Sequence, residues 1–410
     1  MNEKIKIGLF GFGCVGQGFY DIFLRNNISN AEISYICVRD KEKKRPFDED
    51  KFTFDKNVVL NDPEVLLIVE LISDADEAFE IVKHALTQGK KVISANKKMI
   101  AHHLPELIEL QSQHKGILLY EASTCGSIPI IRNLEDFFAF EDVKKVRGIF
   151  NGSSNYILSK IDQEGKTYKE ALEQAQALGF AEADPLLDVG GYDALNKLCI
   201  VIYHAFGIYV HPKDILNLGI QNIHENDKFY AAENKWKLKQ IAYATKTDSG
   251  TIQACVLPQF VEDHEELYHI DQEFNAVSLE ATYAGGQLFK GRGAGSYPTG
   301  SAVFSDFKSL LAGYNYRYQK IDSKSILDNE LTIKVYISSE NEGYLKNIDL
   351  LNIIGKGKSE NLHYIIGEIL ISDLIRIKDK LADLSVFVAA LPEREQDFSK
   401  KIDLEEEAVL

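Results

Sequence analysis

Ile5-Lys6-Ile7-Gly8-Leu9-Phe10-Gly11-Phe12-Gly13-Cys14-Val15-Gly16 is a short apolar run that ends in a GxGxxG pattern, and apolar residues at helical spacing follow over Val15–Leu24. At a strand-to-helix junction the first glycine allows a tight turn and the second lets a pyrophosphate approach the backbone. The third permits close helix–strand packing, while the helix N-terminus offers free N–H groups and a positive dipole end. A GxGxxG alone is weak, since a merely tight glycine turn reads the same way. Here it opens a predicted βαβ unit, because Ile33–Val38 follows as a second strand and Val65–Ile72 as a third. A helix over Asp76–Gln88 comes next, and Val92–Ser94 and Ile117–Glu121 are short strands around a helix over Leu104–Gln113. Parallel neighbours need helical crossovers, so this alternation predicts a doubly wound parallel sheet with a ligand at its strand ends.

From about residue 130 the rhythm changes. Helices over Tyr168–Leu178 and Tyr192–Phe206 precede β-rich runs around 251–261 and 274–290, a pattern of the α+β class. A helix near 300–312 and a linker at Asp322–Asn329 lead into a last small unit. Its candidate strands are Leu331–Ile337, Leu362–Leu370 and Leu384–Ala390, and Glu405–Glu407 reads as a solvated end. A chain of 410 residues is long enough for roughly two to three domains of ~150 residues.

Charge and composition exclude several functions. The net charge of −16 argues against nucleic acid and anionic membranes as partners. No apolar stretch approaches the ~20 residues of a membrane span. Glycines punctuate the apolar start and no cleavage-site pattern follows, so a cytoplasmic protein is expected. Five cysteines, at 14, 37, 125, 199 and 255, show no CxxC spacing, and ten histidines show no ligand pattern. A disulfide framework or zinc site is therefore not expected. Asn151-Gly152-Ser153 matches a glycosylation acceptor only by chance in such a protein.

The end of the second strand bears on cofactor choice. An acidic side chain there would bind the ribose hydroxyls of NAD, and an arginine the extra phosphate of NADP. Arg39 comes first, followed by Asp40 and the basic run Lys41, Lys43, Lys44 and Arg45. NADP is favoured, and Asp40 keeps NAD open. Ser94-Ala95-Asn96-Lys97-Lys98 puts a lysine between a strand and a helix, where it would reach a nicotinamide or an anion, or simply face solvent. Gly291-Arg292-Gly293-Ala294-Gly295 is a second glycine-rich turn leading into a helix, whose backbone would approach the cofactor or merely cap a strand.

The densest chemical cluster is Glu182, Asp184, Asp188, Asp193 and Lys197, within 16 positions. Pro185 disfavours helix at Asp184, and Gly190-Gly191 break the run before a helix begins. Asp193 and Lys197 are i and i+4 on that helix, hence on one face. Such a pair is commonly a surface salt bridge of small worth. The helix continues as Leu198-Cys199-Ile200-Val201-Ile202, which buries it, and a buried lysine beside carboxylates is a natural proton donor. Carboxylates in the preceding loop would suit a substrate ammonium group.

In order, GFGCVG (11–16), SANKK (94–98), YEAS (120–123), FNGSSNYIL (150–158), LGFAEADPLLDVGGYDALNKL (178–198) and GRGAGSYPTGSAV (291–303) resemble the homoserine dehydrogenase family over roughly residues 1–320. The resemblance implies reversible NAD(P)H-dependent reduction of L-aspartate 4-semialdehyde to L-homoserine, a step towards threonine and methionine. It implies a Rossmann-type cofactor domain over 1–130 with a returning segment at 298–320, and a catalytic and dimerisation domain over 131–297. A small C-terminal domain over 321–410 would be ACT-like and regulatory, and the protein a homodimer or higher homo-oligomer. Lys197 would be the proton donor and Asp193 would position it, while Glu182, Asp188 and Lys97 would bind substrate. The cofactor set would be Gly11, Gly13, Cys14, Val15, Gly16, Arg39, Lys97, Gly179 and Gly295. A monovalent cation such as sodium would sit on backbone carbonyls of Glu121, Thr124, Gly126 and Ile128.

Departures matter as well. Ser73 and Asp74 stand where the family shows two glycines, and Thr124-Cys125 replaces smaller residues in the cation loop. No kinase module precedes the cofactor domain, so a monofunctional enzyme is expected. Glu340-Asn341-Glu342-Gly343-Tyr344 is a faint echo of the ACT turn, which makes threonine inhibition a hypothesis. A non-catalytic NAD(P)-binding regulatory paralogue is the alternative of another class, and it would be expected to lose the acidic–lysine constellation. A dehydrogenase for another amino-acid semialdehyde is a third reading.

Overall fold

The computed structural model describes residues 4–43, 49–320 and 324–392; Lys44, Arg45 and Glu405–Glu407 lie outside them. The chain divides into two compact units, the first built from 1–140, 199–204 and 291–320 and the second from 141–198, 205–290 and 321–410. The division read from the sequence, near 130, 297 and 321, separates the C-terminal segment from the middle one. In the structure the described strands of both segments share one sheet.

In the first unit, β1 (Ile5–Phe10) leads into α1 (Cys14–Arg25) and β2 (Ala31–Cys37), followed by β3 (Phe52–Thr53), α2 (Lys56–Leu60) and β4 (Val65–Glu70). Then come α3 (Ala75–Thr87), β5 (Lys91–Ser94), α4 (Lys97–His114), β6 (Ile117–Leu119) and α5 (Ile130–Glu135). The strands run parallel in the order β3-β2-β1-β4-β5-β6, with Gly8 facing Tyr35 on one side and Ile68 on the other. The apolar run of β1 is central and buried, as a strand covered on both faces requires. The sequence reading placed β1, β2, β4, β5 and β6 to within two residues, missed β3 and α2, and shortened one helix. α4 starts at Lys97, seven residues before the predicted Leu104, because Asn96 caps it by accepting Met99 N–H. The strand expected over Ile117–Glu121 stops at Leu119, where a 3-10 turn over Glu121–Ser123 takes over.

The second unit is built on a mixed sheet. β7 (Val143–Ile149) precedes α6 (Gly152–Glu164), α7 (Tyr168–Ala177), α8 (Leu186–Val189) and α9 (Tyr192–Phe206). β8 (Leu216–Asn217), α10 (Glu225–Glu233), β9 (Lys237–Lys246), β10 (Ile252–Val261), β11 (Phe274–Ala281) and β12 (Gly285–Arg292) follow. α11 (Ser296–Leu311) belongs to the first unit, after which come β13 (Thr332–Ser339), α12 (Glu342–Leu345), β14 (Asn352–Ser359), β15 (Leu362–Leu370), α13 (Ile371–Asp383) and β16 (Phe387–Ala390). The strand order is β12-β11-β7-β9-β10-β16-β13-β15-β14. Its last four strands, antiparallel to one another, have β-α-β-β-α-β connectivity, the split βαβ arrangement. Alternate residues feed the two faces: Ile333, Val335 and Ile337 pack on one with Leu345 and Leu374, and Tyr336 on the other with Tyr156 and Ile161 of α6. The strand read over Leu384–Ala390 begins only at Phe387, because Leu384 caps α13 and Ser385 takes a left-handed φ of 52°.

Candidate active site

The three glycines of the first turn are there for different reasons. Gly11 has φ 90°, and a Cβ on it would stand 2.6 Å from Leu71 O. A Cβ on Gly16 would collide with the carbonyl of Gly11. Gly13 is neither strained nor crowded, since a Cβ there would meet nothing within 4 Å. The protein's own packing therefore does not require glycine at 13, and the open space fits a group approaching from outside. Gly13 is also the N-cap of α1, which receives no side-chain cap, so its first N–H groups are free for an anion.

A second uncapped helix N-terminus lies beside it. Gly295, with φ 112°, precedes α11 without a side-chain cap, and Ser296 Oγ donates to Cys14 O at 2.8 Å. A Cβ on Gly18 would run into Ser296 O, so α1 and α11 touch backbone to backbone there. Arg39 and Asp40 are both exposed just past β2. Asp40 Oδ1 accepts Glu42 N–H at 2.9 Å and Lys43 N–H at 3.2 Å, folding that carboxylate back onto its own turn. Ser73-Asp74, in place of two glycines, has a local use: Asp74 caps α3 by accepting Asp76 and Glu77 N–H. Beneath this loop Glu70 is buried, taking Ile72 N–H at 2.7 Å and Ser94 Oγ–H at 2.5 Å, and burial pushes its carboxyl up to about 7. Lys97, half-buried, is the first residue of α4.

The expected cation turn, 121–128, is almost wholly buried. Glu121 O takes Thr124 N–H and Oγ–H, and Ile128 O takes Ile130 N–H. The carbonyls of Thr124 and Gly126 accept no hydrogen bond among the described residues. Glu121 stands beside them, its carboxyl receiving the N–H groups of Ile131 and Arg132 at 2.9 and 2.7 Å and pushed by burial up to about 8. Two unengaged carbonyls in a buried turn are oxygen ligands of the kind a cation takes.

The 182–197 cluster lies in the second unit, and the structure brings only part of it together. Lys197 is 5% exposed and Asp193 6%. Lys197 Nζ donates to Asp193 Oδ2 and to Phe150 O, both at 2.7 Å, so the pair is a buried one. Two of the three ammonium N–H groups are thereby engaged. Asp188, on α8, joins through Asn151, whose Nδ2 donates to Asp188 Oδ1 at 2.8 Å and to Asp193 Oδ2 at 2.9 Å. Gly191, at φ 79°, starts α9 where a Cβ would meet Asn217 Oδ1 at 2.5 Å. Glu182 is exposed, and its backbone carbonyl, not its carboxylate, accepts from Gln176. Gly179 is exposed with φ 75° just beyond α7, a helix C-terminal position that by itself favours glycine.

Sequence reading missed Asn151 and the Phe150 carbonyl. Their signal was FNGSSNYIL, where an asparagine before a helix start reads as an N-cap. Asn275 was also missed: its Nδ2 donates to Phe150 O at 2.8 Å.

Comparison with known proteins gives one consistent family. The model for the homoserine dehydrogenase NAD-binding domain matches residues 11–121, and that for homoserine dehydrogenase matches residues 129–307. The homoserine dehydrogenase of Bacillus subtilis is 35% identical over 318 residues, covering 75% of this chain and 73% of the relative. That of Helicobacter pylori is 35% identical over 330 residues, covering 77% of each. Among solved structures, a homoserine dehydrogenase from Thiobacillus denitrificans superposes with a TM-score of 0.81 at 27% identity, over 95% of this chain and 98% of that one. A hyperthermophilic archaeal homoserine dehydrogenase in complex with NADPH gives 0.64 at 26% identity, over 77% and 100%.

Proposed function

Because this chain belongs to the homoserine dehydrogenase family, we propose that its 182–197 cluster holds and protonates the substrate and that its glycine-rich turns hold the nicotinamide cofactor. The reaction is the NAD(P)H-dependent, reversible reduction of L-aspartate 4-semialdehyde to L-homoserine, a step towards threonine and methionine. When bound, the reduced cofactor supplies hydride to the aldehyde carbon.

The observation that carries the residue roles is the Lys197 ammonium, buried, with one N–H left over. An aldehyde that accepts hydride becomes an alkoxide, so an acid at its oxygen lowers the barrier. Lys197 donates that proton through its third N–H, and Asp193 keeps the ammonium charged and aimed. Asp188 receives the substrate ammonium, with Glu182 as a second, more exposed carboxylate. Lys97 is assigned to the cofactor and to an anionic group of the substrate. Against a non-catalytic paralogue stands the retention of Glu182, Asp188, Asp193 and Lys197, the last three joined through Asn151.

Gly11, Gly13, Cys14, Val15, Gly16 and Gly295 would hold the cofactor's phosphates, and Gly179 completes the proposed set. NADP is the preferred form, since Asp40 is occupied with its own turn while Arg39 is exposed beside it. A monovalent cation on the 121–128 carbonyls would be structural. The protein would act in the cytoplasm; no described helix is long and apolar enough to cross a membrane. Homodimers would form through the second unit, whose sheet ends on the largely exposed edge strand β12. An amino-acid effector, threonine first, would act at the ACT-like split βαβ segment. There Glu340, Asn341 and Tyr344 line a cavity of ≈ 350 Å³, and unchanged initial rates at millimolar threonine would count against this role.

The deciding experiment is oxidation of L-homoserine, followed by absorbance of the reduced cofactor, with NADP and NAD side by side. Turnover with NADP well above NAD supports the whole reading. Turnover with NAD alone keeps the reaction and moves cofactor recognition to Asp40. Cofactor binding without turnover would overturn the assignment.

A further inference from the structure

Asn151 is 4% exposed and uses every hydrogen-bonding direction of its amide that the cluster can reach. Its Oδ1 accepts Ser154 N–H at 2.7 Å, which caps α6. Its Nδ2 bridges Asp188 Oδ1 and Asp193 Oδ2 at 2.8 and 2.9 Å. The amide cannot be turned over, because carboxylates only accept and a backbone N–H only donates. The Asp193 oxygen it holds is the same one that takes Lys197 Nζ, and the carbonyl preceding Asn151, that of Phe150, takes Lys197 as well. One residue thus connects the carboxylate assigned to the substrate ammonium with the ion pair assigned to proton transfer.

We propose that Asn151 is a positioning residue for this reaction, coupling substrate capture at Asp188 to the acidity of Lys197. The proposal rests on the residue roles given above. The physical argument is electrostatic. Two carboxylates that share one amide, Asp193 buried and Asp188 half-buried, repel, and the neutral amide that donates to both offsets that repulsion. By drawing on Asp193 Oδ2, Asn151 weakens the hold of that oxygen on the Lys197 proton, so its removal makes the ammonium a weaker acid. A substrate ammonium on Asp188 changes the load on the same amide, so binding at one carboxylate is felt at the other.

The test separates this from a merely structural cap. Asn151→Ser keeps an N-cap acceptor for Ser154 N–H but is too short and too poor in donors to bridge both carboxylates. Asn151→Asp keeps shape and cap and loses both N–H groups. In homoserine oxidation Lys197 acts as the base and must be neutral. The acid limb of the kcat profile should therefore move to higher pH by about half a unit or more in both variants. KM for homoserine should move by about threefold or more, since the Asp188 oxygen released by the amide is the one assigned to the substrate ammonium, with cofactor affinity unchanged. A structural role alone would lower thermal stability and leave the pH limb and KM in place, and that result overturns the proposal. Lys197→Met is measured in parallel. If it stays active, the residue roles fail as a whole. If it is inactive while both Asn151 variants behave as the parent, only the present inference fails.

Discussion

Replacing Lys197 by methionine removes the ammonium and keeps a buried aliphatic side chain of similar length. Two consequences can be worked from the geometry. The substrate oxygen loses its proton donor, and general acid catalysis of this kind is worth about 10²–10⁴ in rate, roughly 3–5 kcal/mol of barrier. Asp193 Oδ2 loses its 2.7 Å partner, while the Asn151 N–H at 2.9 Å stays in place. Breaking a buried pair from one side costs about 3–5 kcal/mol of stability. A unit of this size shifts by roughly 2–4 °C per kcal/mol, so a melting temperature about 10 °C lower is expected. Rates must then be taken well below that melting point, on protein shown to be folded. The assay is initial-rate homoserine oxidation at saturating NADP, alongside NADP binding followed by fluorescence. Turnover should fall by about 10²-fold or more, while the Kd for NADP moves less than about threefold. A folded variant with kcat within about tenfold of the parent would refute the assignment of Lys197 as the acid.

Three further outcomes are expected. Gly13→Ala finds open space and should change stability by less than about 1 kcal/mol while weakening NADP binding, whereas Gly16→Ala meets Gly11 O and should destabilise by about 2 kcal/mol or more. Equal melting losses in the two would contradict the separate roles given to these glycines. Arg39→Ala should raise KM for NADP about tenfold or more and leave NAD nearly unchanged, as loss of a charge-assisted contact to a phosphate requires; parallel changes for both cofactors would remove Arg39 from recognition. Burial raises the Glu70 carboxyl from 4.5 to about 7, so between those values the native state holds a proton that the unfolded chain has released. That group's contribution to stability therefore falls as pH rises through this window and is flat above it, by roughly 3 kcal/mol in all. Glu70→Gln should gain on the parent from pH 5 to pH 8 in chemical denaturation, and a constant difference across that range would count against the buried acid.

The legible parts of the chain were those where local pattern and burial agree. β1, α9 and β15 match their sequence reading end to end, because each is a clean apolar run or helical stripe bounded by a breaker. β7 and β9 went unread because charged residues interrupt their alternation. Arg147 is buried with Glu265 and Gln259 as partners, and Lys239 is buried on Asp271 and the carbonyl of Ile270. Those partners lie far off in sequence, where periodicity gives no sign of them. β14 also went unread, since Gly355, Lys356, Gly357 and Lys358 fill an edge strand with residues that discourage further pairing. The site divides in the same way. Asp193 and Lys197 declare themselves through i,i+4 spacing, while Asn151 reaches partners 37 and 42 residues away. Glu182 shows the reverse case, a residue prominent in the motif whose exposed side chain the described bonds do not tie to the cluster.

The cofactor-binding unit is not finished when its sheet is. α11 closes against α1 through Gly18 and Gly300, and it belongs to a segment that begins at residue 291. A ribosome adding about 5–20 residues per second needs roughly 15–60 s to get that far. From Leu119 onward in this interval the nascent chain has all six parallel strands but lacks the helix that covers Phe19 and Phe23. Those side chains must stay exposed or be shielded by another protein while the segments of the second unit up to residue 290 are synthesised in between. The last-made helix of the unit also brings the second glycine turn, so nucleotide affinity should appear late in synthesis, and a nascent chain stopped before residue 291 would be a client for chaperones before it is a binder of dinucleotide.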